Sequence, residues 1–188
     1  MHSTKHTDRE LIAIIVGEKT ADSLYHGSIT NMLREAANGD TRYARLAAAH
    51  ELVNRALLEG VLGSDVLSSP MAVRDYLRLK LIAYEYEVFL VIFLDAQNRV
   101  LAIEEMFRGT LTQTSVYPRE IVKRSLARNA GGVIFCHNHP SGAPEPSAAD
   151  RSLTRALGEA LALIDVRVVD HIIVAGNQFV SFAERGML

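Results

Sequence analysis

The run Val-Ile-Phe-Cys at 133–136 leads directly into His-Asn-His at 137–139, a loop with prolines at 140, 144 and 146, and Ser-Ala-Ala-Asp at 147–150. A short, wholly apolar run is the pattern of a strand buried on both faces. Such a strand needs elements packed above and below it, so the chain has to fold as layers of helix and sheet. Ser147 and Asp150 fit the S/T-x-x-D/E pattern that opens a helix, which makes 133–165 a strand, a stiff loop and a helix. The three prolines reduce the freedom the loop must lose on folding.

The rest of the chain agrees with that constraint. Residues 1–66 read as helical. Asp8 can cap an apolar stripe over 8–19, and 41–60 has apolar residues at helical spacing (Leu46, Ala49, Val53, Leu57), with Gly60 as its stop. His50 in that helix reads as a packing or surface residue. A boundary falls at 63–70, where Ser69 can cap and Pro70 can begin a helix through Leu81. Strands are expected over 84–95 and 99–109, joined by a turn at 95–98. A helix follows over 117–132, with Pro118 near its first position and Gly131 or Gly132 ending it. Strands at 166–176 and 179–182 follow the helix that begins at Ser147. The order after the boundary, α-β-β-α-β-α-β-β, describes a mixed sheet flanked by helices, an α/β (α+β) fold with a small helical region before it.

Composition narrows the class. The chain has 188 residues, 48% of them hydrophobic, enough for a substantial core. Its 20 Lys+Arg balance 22 Asp+Glu, which excludes a strongly basic nucleic-acid binder. One cysteine, Cys136, excludes an intrachain disulfide framework and fits a reducing cytoplasm. The longest apolar runs are too short to span a bilayer and the N-terminus lacks a signal core, so a soluble cytoplasmic protein with no membrane partner is expected.

The chemistry sits in HNHPSGAPEPSAAD. His137 and His139, two apart at a strand end, point to one face about 6–7 Å apart at the backbone, where two imidazoles can converge on a cation. Asp150 supplies a third ligand if the loop folds back. Three ligands and an open position are the pattern of a catalytic rather than a structural zinc site. Cys136 adjoins His137 and would point to the opposite face; it reads as a small buried hydrophobe. A capping box explains Ser147 and Asp150 equally well without a metal, and both readings stand on spacing alone. An HNH nuclease needs a distal ligand set that is not seen here, and a zinc deaminase needs H-x-E with P-C-x-x-C, which does not occur.

His137, Asn138, His139, seven residues, Ser147, two residues and Asp150 match H-x-H-x7-S-x2-D, which resembles the JAMM signature of MPN-domain metallopeptidases. With GTLTQTSVYPREIVKRSLARNA upstream and VRVVDHIIVAGNQFVSFAERG downstream, residues 70–188 resemble the RadC family in particular. The resemblance implies an MPN (JAMM) catalytic domain over 67–188, cytidine-deaminase-like in fold, behind a helical region over 1–66. It implies Zn²⁺ held by His137, His139 and Asp150, a catalytic Ser147 that stabilises the developing oxyanion, and a glutamate acting as acid and base. Glu87 fits the glutamate's place at the start of the first strand; Glu85, Glu104 and Glu105 are the alternatives. Asp170 and His171 are candidates for a pair that orients a ligand. The implied activity is hydrolysis of a peptide or isopeptide bond in an unidentified peptide or protein substrate. The alternative is a non-enzymatic DNA- or protein-binding module. RadC proteins usually carry a glycine-containing helical hairpin at the front. The comparable stretch here, ANGDTRYARLAAAHELV, departs from it, and a nucleic-acid partner is not expected.

Overall fold

The computed structural model describes residues 6–68, 70–109 and 116–188. The cap expected at Ser69, and residues 110–115 of the upstream RadC-like stretch, lie outside the described residues. Among the described residues, no helix is long and apolar enough to cross a membrane.

Four helices come first: α1 (Asp8–Val16), α2 (Glu18–Leu24), α3 (Ile29–Ala37) and α4 (Ala44–Val61). The first is capped one residue earlier than expected. Thr7 accepts from the Glu10 backbone and Glu10 returns a bond to the Thr7 N–H, leaving Asp8 as the first helical residue. The stretch 8–19 is also not one helix, because Gly17, at φ 92°, turns the chain between α1 and α2. In α4 the helix runs through Gly60, and the left-handed residue after it is Gly63, at φ 75°. Its buried stripe is rotated from the expected one. Val53 is exposed, while Asn54 is buried and His50 Nε2 meets the Leu79 carbonyl at 3.0 Å. The inside of this helix is partly polar because the last carbonyls of the next helix lack helical partners, and His50 supplies one.

Helix α5 (Pro70–Leu81) then leads to the sheet, formed by β1 (Val88–Leu94), β2 (Val100–Arg108), β3 (Gly132–Asn138), β4 (Arg167–Ala175) and β5 (Gln178–Ser181) in the order β2-β1-β3-β4-β5. Strands β3 and β4 are parallel and the other neighbours antiparallel. Helix α6 (Pro118–Ala127) joins β2 to β3, and α7 (Ala148–Ala162) crosses from β3 to β4. The first strand is shorter than expected: 84–87 is an irregular lead-in, and pairing starts at Val88. Helix α6 also stops short of Gly131, with Asn129 taking the left-handed turn at φ 52°. Gly131 serves a close approach instead, since a Cβ there would stand 3.3 Å from the Ala96 backbone.

β1 and β3 are buried along their whole length. Alternation sends Leu90, Ile92, Ile134 and Cys136 to a face covered by Val73, Tyr76, Leu77 and Leu81 of α5. Phe89, Val91, Phe93, Val133 and Phe135 face Ile121 of α6 and Leu157 and Leu161 of α7. The N-terminal helices have a cluster of their own around Ile12, Val16, Leu24, Met32 and Leu46. The end of α4 and the segment after it belong to the sheet: Val61 and Val66 join the α5-side core, and 63–66 exchange backbone hydrogen bonds with Asn98 and Val100.

Candidate metal centre

The C-terminal end of β3 is the middle of the sheet, between β1 and β4. His137 pairs with Phe89 on one side and Ile173 on the other. Alternation puts His137 on the α7 face, with the Phe89 and His171 rings against it. Cys136 faces the α5-side core with no exposure, and burial pushes its thiol far up, so the apolar reading of Cys136 holds.

The strand ends at Asn138, and the loop doubles back at Gly142, whose φ is 77°. The His139 ring donates from Nδ1 to the Ala143 carbonyl at 2.7 Å. The loop is braced further by Arg151 on the Pro146 carbonyl and by an Arg185–Glu145 ion pair. It delivers Ser147 as the cap of α7 and Asp150 as the third residue of its first turn. The capping box is complete: Asp150 N–H donates to Ser147 Oγ at 3.1 Å and Ser147 N–H to Asp150 Oδ2 at 2.7 Å. Asp150 Oδ1 nevertheless lies 3.4 Å from His137 Nε2, and Oδ2 3.6 Å from His139 Nε2. One carboxylate therefore does both jobs that spacing had left as alternatives.

His137, His139 and Asp150 are positioned to bind a metal ion, with ligand atoms within 4.8 Å of one another. The hydrogen bonds around them assign the imidazole protons. Thr154 Oγ donates to the Asp150 carbonyl at 2.6 Å, so toward His171 Nδ1, also at 2.6 Å, it is the acceptor. His171 then carries its proton on Nδ1 and accepts at Nε2 from His137 Nδ1, 2.8 Å away. That leaves His137 Nε2 with its lone pair toward the site. His139 Nδ1 is likewise committed as a donor, so its Nε2 also presents a lone pair. The two Nε2 atoms stand 2.9 Å apart with the Asp150 carboxylate beside them. With both imidazoles neutral, three acceptors converge on one point, an arrangement that suits a cation. Ligands about 2.0–2.1 Å from a tetrahedral Zn²⁺ stand roughly 3.3 Å from one another, so the observed spacings suit such an ion.

The ionisation of the three groups follows from their surroundings. Burial pushes His137 down to about 4, against the pull of Asp150. His139 is pushed up, first by its hydrogen bond to Asp150; the charge of Glu87 adds to the push. Burial opposes ionisation of Asp150, but the His139 bond, the His137 charge and the Ser147 bonds outweigh it and hold the carboxyl well below its ordinary range. His171, buried and beside His137, is held well below the ordinary histidine value.

Glu87 is half-buried just before β1. Continuing the Phe89–His137 register two residues outward sets it opposite His139, and it stands outside the ligand group. The other glutamates are engaged elsewhere. Glu104 pairs with Arg124 and Arg128, Glu105 with Arg108, and exposed Glu85 lies 3.5 Å from Asn38 Nδ2. Of the two candidates Asp170 and His171, only the His171 ring reaches a ligand, at His137 Nδ1, because adjacent strand residues face opposite ways. Asp170 takes the backbone N–H groups of His171 and Ala183 and the Ser181 hydroxyl, fastening the end of the chain to β4. The partner of the His171 ring is Thr154, which the sequence reading missed. It lies one turn after Asp150 on α7, and that i, i+4 spacing is the signal that could have found it.

A family model described as the RadC-like JAB domain matches residues 67–187. The chain belongs to this family. It is 53% identical to a UPF0758 protein of Thiobacillus denitrificans, over 97% of this chain and 89% of the relative. It is 47% identical to a UPF0758 protein of Nitrosomonas eutropha, over 99% and 91%, and 58% identical to one of Nitrosospira multiformis, over 80% and 67%. The five-stranded mixed sheet flanked by helices is the architecture of a JAB/MPN-type domain, and the His-His-Asp group sits within the matched residues.

Proposed function

We propose that this JAB-domain protein is a zinc-dependent metallopeptidase that hydrolyses a peptide or isopeptide bond in a protein or peptide substrate. The observation that carries the reading is the convergence of three acceptors, His137 Nε2, His139 Nε2 and the Asp150 carboxylate, with the imidazole protons turned away from the site. Two imidazoles, one carboxylate and a fourth position open to water or substrate are the donor set of a hydrolytic zinc centre. A bound Zn²⁺ would supply a Lewis acid that polarises the scissile carbonyl and acidifies a water.

The remaining work belongs to side chains. Glu87, opposite His139 in the continued β1–β3 register, takes the proton from the attacking water and returns it to the leaving amine. Ser147, whose hydroxyl rests on Asp150 Oδ2 at 2.6 Å, donates to the oxyanion that develops on the carbonyl oxygen. His171, held by Thr154, fixes the tautomer and the tilt of His137.

The test is metal analysis joined to three variants. Purified protein should hold about one zinc per chain by the ligand count. His137→Ala and Asp150→Ala should lose it, whereas Glu87→Gln should keep it and lose turnover on a quenched-fluorescent peptide library. Folded protein that neither retains nor takes up zinc would overturn the reading. A fully active Glu87→Gln would overturn the choice of glutamate alone.

A further inference from the structure

The middle residue of His137-Asn138-His139 has no place among the ligands. It points to the opposite face from both histidines and is 4% exposed. A carboxamide in that position must find both an acceptor and a donor, and Asn138 finds them on the two sides of a single residue. Its Oδ1 accepts from the Val88 N–H at 2.7 Å, and its Nδ2 donates to the Tyr86 carbonyl at 3.0 Å. The backbone partners are one donor and one acceptor, so only this orientation of the amide satisfies both.

Those two groups belong to the peptide units immediately before and after Glu87. One unit's plane sets φ of Glu87 and the other's sets ψ. A single rigid amide holds both, so β3 constrains the direction in which the Glu87 side chain leaves the backbone. From the β2 side the Gly109 N–H reaches the Glu87 carbonyl at 2.7 Å, but on the β3 side the ladder itself does not hold these units. Paired residues of β1 and β3 end at Phe89 and His137, and the His139 N–H turns to the Val174 carbonyl on β4. At the point where strand pairing stops, the Asn138 side chain continues it for one more step.

We infer that Asn138 is a positioning residue that clamps the peptide units flanking Glu87 and so sets the proton-carrying carboxylate against the metal centre. The inference rests on the role proposed for Glu87. The same tripeptide then carries two ligands on one face of β3 and the support of the acid/base group on the other. The residue type is restrictive: aspartate keeps the acceptor for Val88 but turns lone pairs on the Tyr86 carbonyl, and alanine keeps neither bond.

The test uses the full-length, zinc-reconstituted chain with Asn138→Ala and Asn138→Asp, and reads amide hydrogen exchange by NMR beside zinc content and kinetics. In Asn138→Ala the Val88 amide should exchange at least roughly tenfold faster, on loss of a hydrogen bond of ordinary strength, while Phe89 to Leu94 stay protected and zinc stoichiometry holds. Turnover should fall about 10- to 100-fold in kcat with KM little changed, as for a misplaced reacting group. Asn138→Asp should keep Val88 protected and still lose kcat, and it decides alone if the alanine variant does not fold. Unchanged Val88 exchange in Asn138→Ala, loss of zinc from either folded variant, or wild-type kcat in either overturns the inference. If Glu87→Gln proves fully active, the exchange data still report whether Asn138 holds the segment, so failure of the clamp and failure of the Glu87 assignment remain distinguishable.

Discussion

Thr154→Val is the most informative single change outside the ligands. The side chain is 5% exposed, and its hydroxyl is the only atom whose polarity changes. That hydroxyl accepts from His171 Nδ1 at 2.6 Å and donates to the Asp150 carbonyl at 2.6 Å. The carbonyl keeps its helical partner. The imidazole N–H is left in a place with no exposure, and a buried donor without a partner costs about 1–3 kcal/mol. For a chain of this size that is roughly 2–4 °C of Tm per kcal/mol. The protein can avoid the cost by moving the His171 proton to Nε2. His171 would then donate to His137 Nδ1, and His137 would have to carry its own proton on Nε2, toward Asp150. Either outcome weakens the cation site, by about 10- to 100-fold as for other groups that orient a ligand. Urea unfolding of the metal-free protein measures the first quantity, and competition with a chelator of known zinc affinity the second. Thr154→Ser keeps the hydroxyl and should behave nearly as wild type. Two results refute the reasoning: wild-type zinc affinity in a folded Thr154→Val protein, or ¹⁵N shifts showing His137 protonated at Nε2 in the metal-free wild type.

The metal-free protein should also lose stability as pH falls from 7.5 to 5.5. Burial keeps His137, at about 4, and His171 neutral when folded, while the unfolded forms take up protons below about 6.5. Each group then costs about 1.4 kcal/mol one unit below that value; His139, shifted the opposite way, offsets part, and the lowered Asp150 contributes fully throughout this range. Urea titrations at the two pH values check this, and stability that is flat or rises toward pH 5.5 contradicts it. Phe135→Ala, in the middle of β3 against Phe89 and the His171 ring, should cost about 3–5 kcal/mol in chemical denaturation. Cys136, fully buried with its thiol pushed up, should react with a disulfide reagent only as fast as the protein opens, so labelling at native rates typical of exposed thiols would contradict its placement.

The features that could be read from the sequence are those set by short-range periodicity. The all-apolar run at 133–136 announced a central strand, and the strand proved buried over its whole length. The spacing of His137, His139, Ser147 and Asp150 permitted one site without requiring it, and the resemblance to the JAMM signature singled it out; the strand end, the loop and one helical turn do bring the four together. The errors arose where tertiary partners decide. Val53 fits the helical stripe of α4, yet His50 and Asn54 occupy the inside because a free carbonyl at Leu79 waits there. Asp170 and His171 were equal candidates by adjacency, and strand geometry turns only His171 toward His137. Thr154 was invisible because its importance depends on a ring brought in by β4, seventeen residues further on.

The same distinction explains why the proposed acid/base group was the least determined part of the site. Sequence offered four glutamates near the first two strands, and no local rule separates them. The structure separates them by where they stand. Glu104 and Glu105 sit on β2, one strand away from the ligands, and are neutralised by arginines; Glu85 lies in the exposed lead-in toward α3. Glu87 alone stands where the β1–β3 register, continued past its last pair, meets His139. That position is not a property of Glu87 or of its neighbours in β1. It is set by the backbone pairing up to Phe89, by the Gly109 N–H on the Glu87 carbonyl and, on the β3 side, by the Asn138 amide. One strand end thus determines the ligands directly, through alternation, and the glutamate indirectly, through the chain it holds alongside.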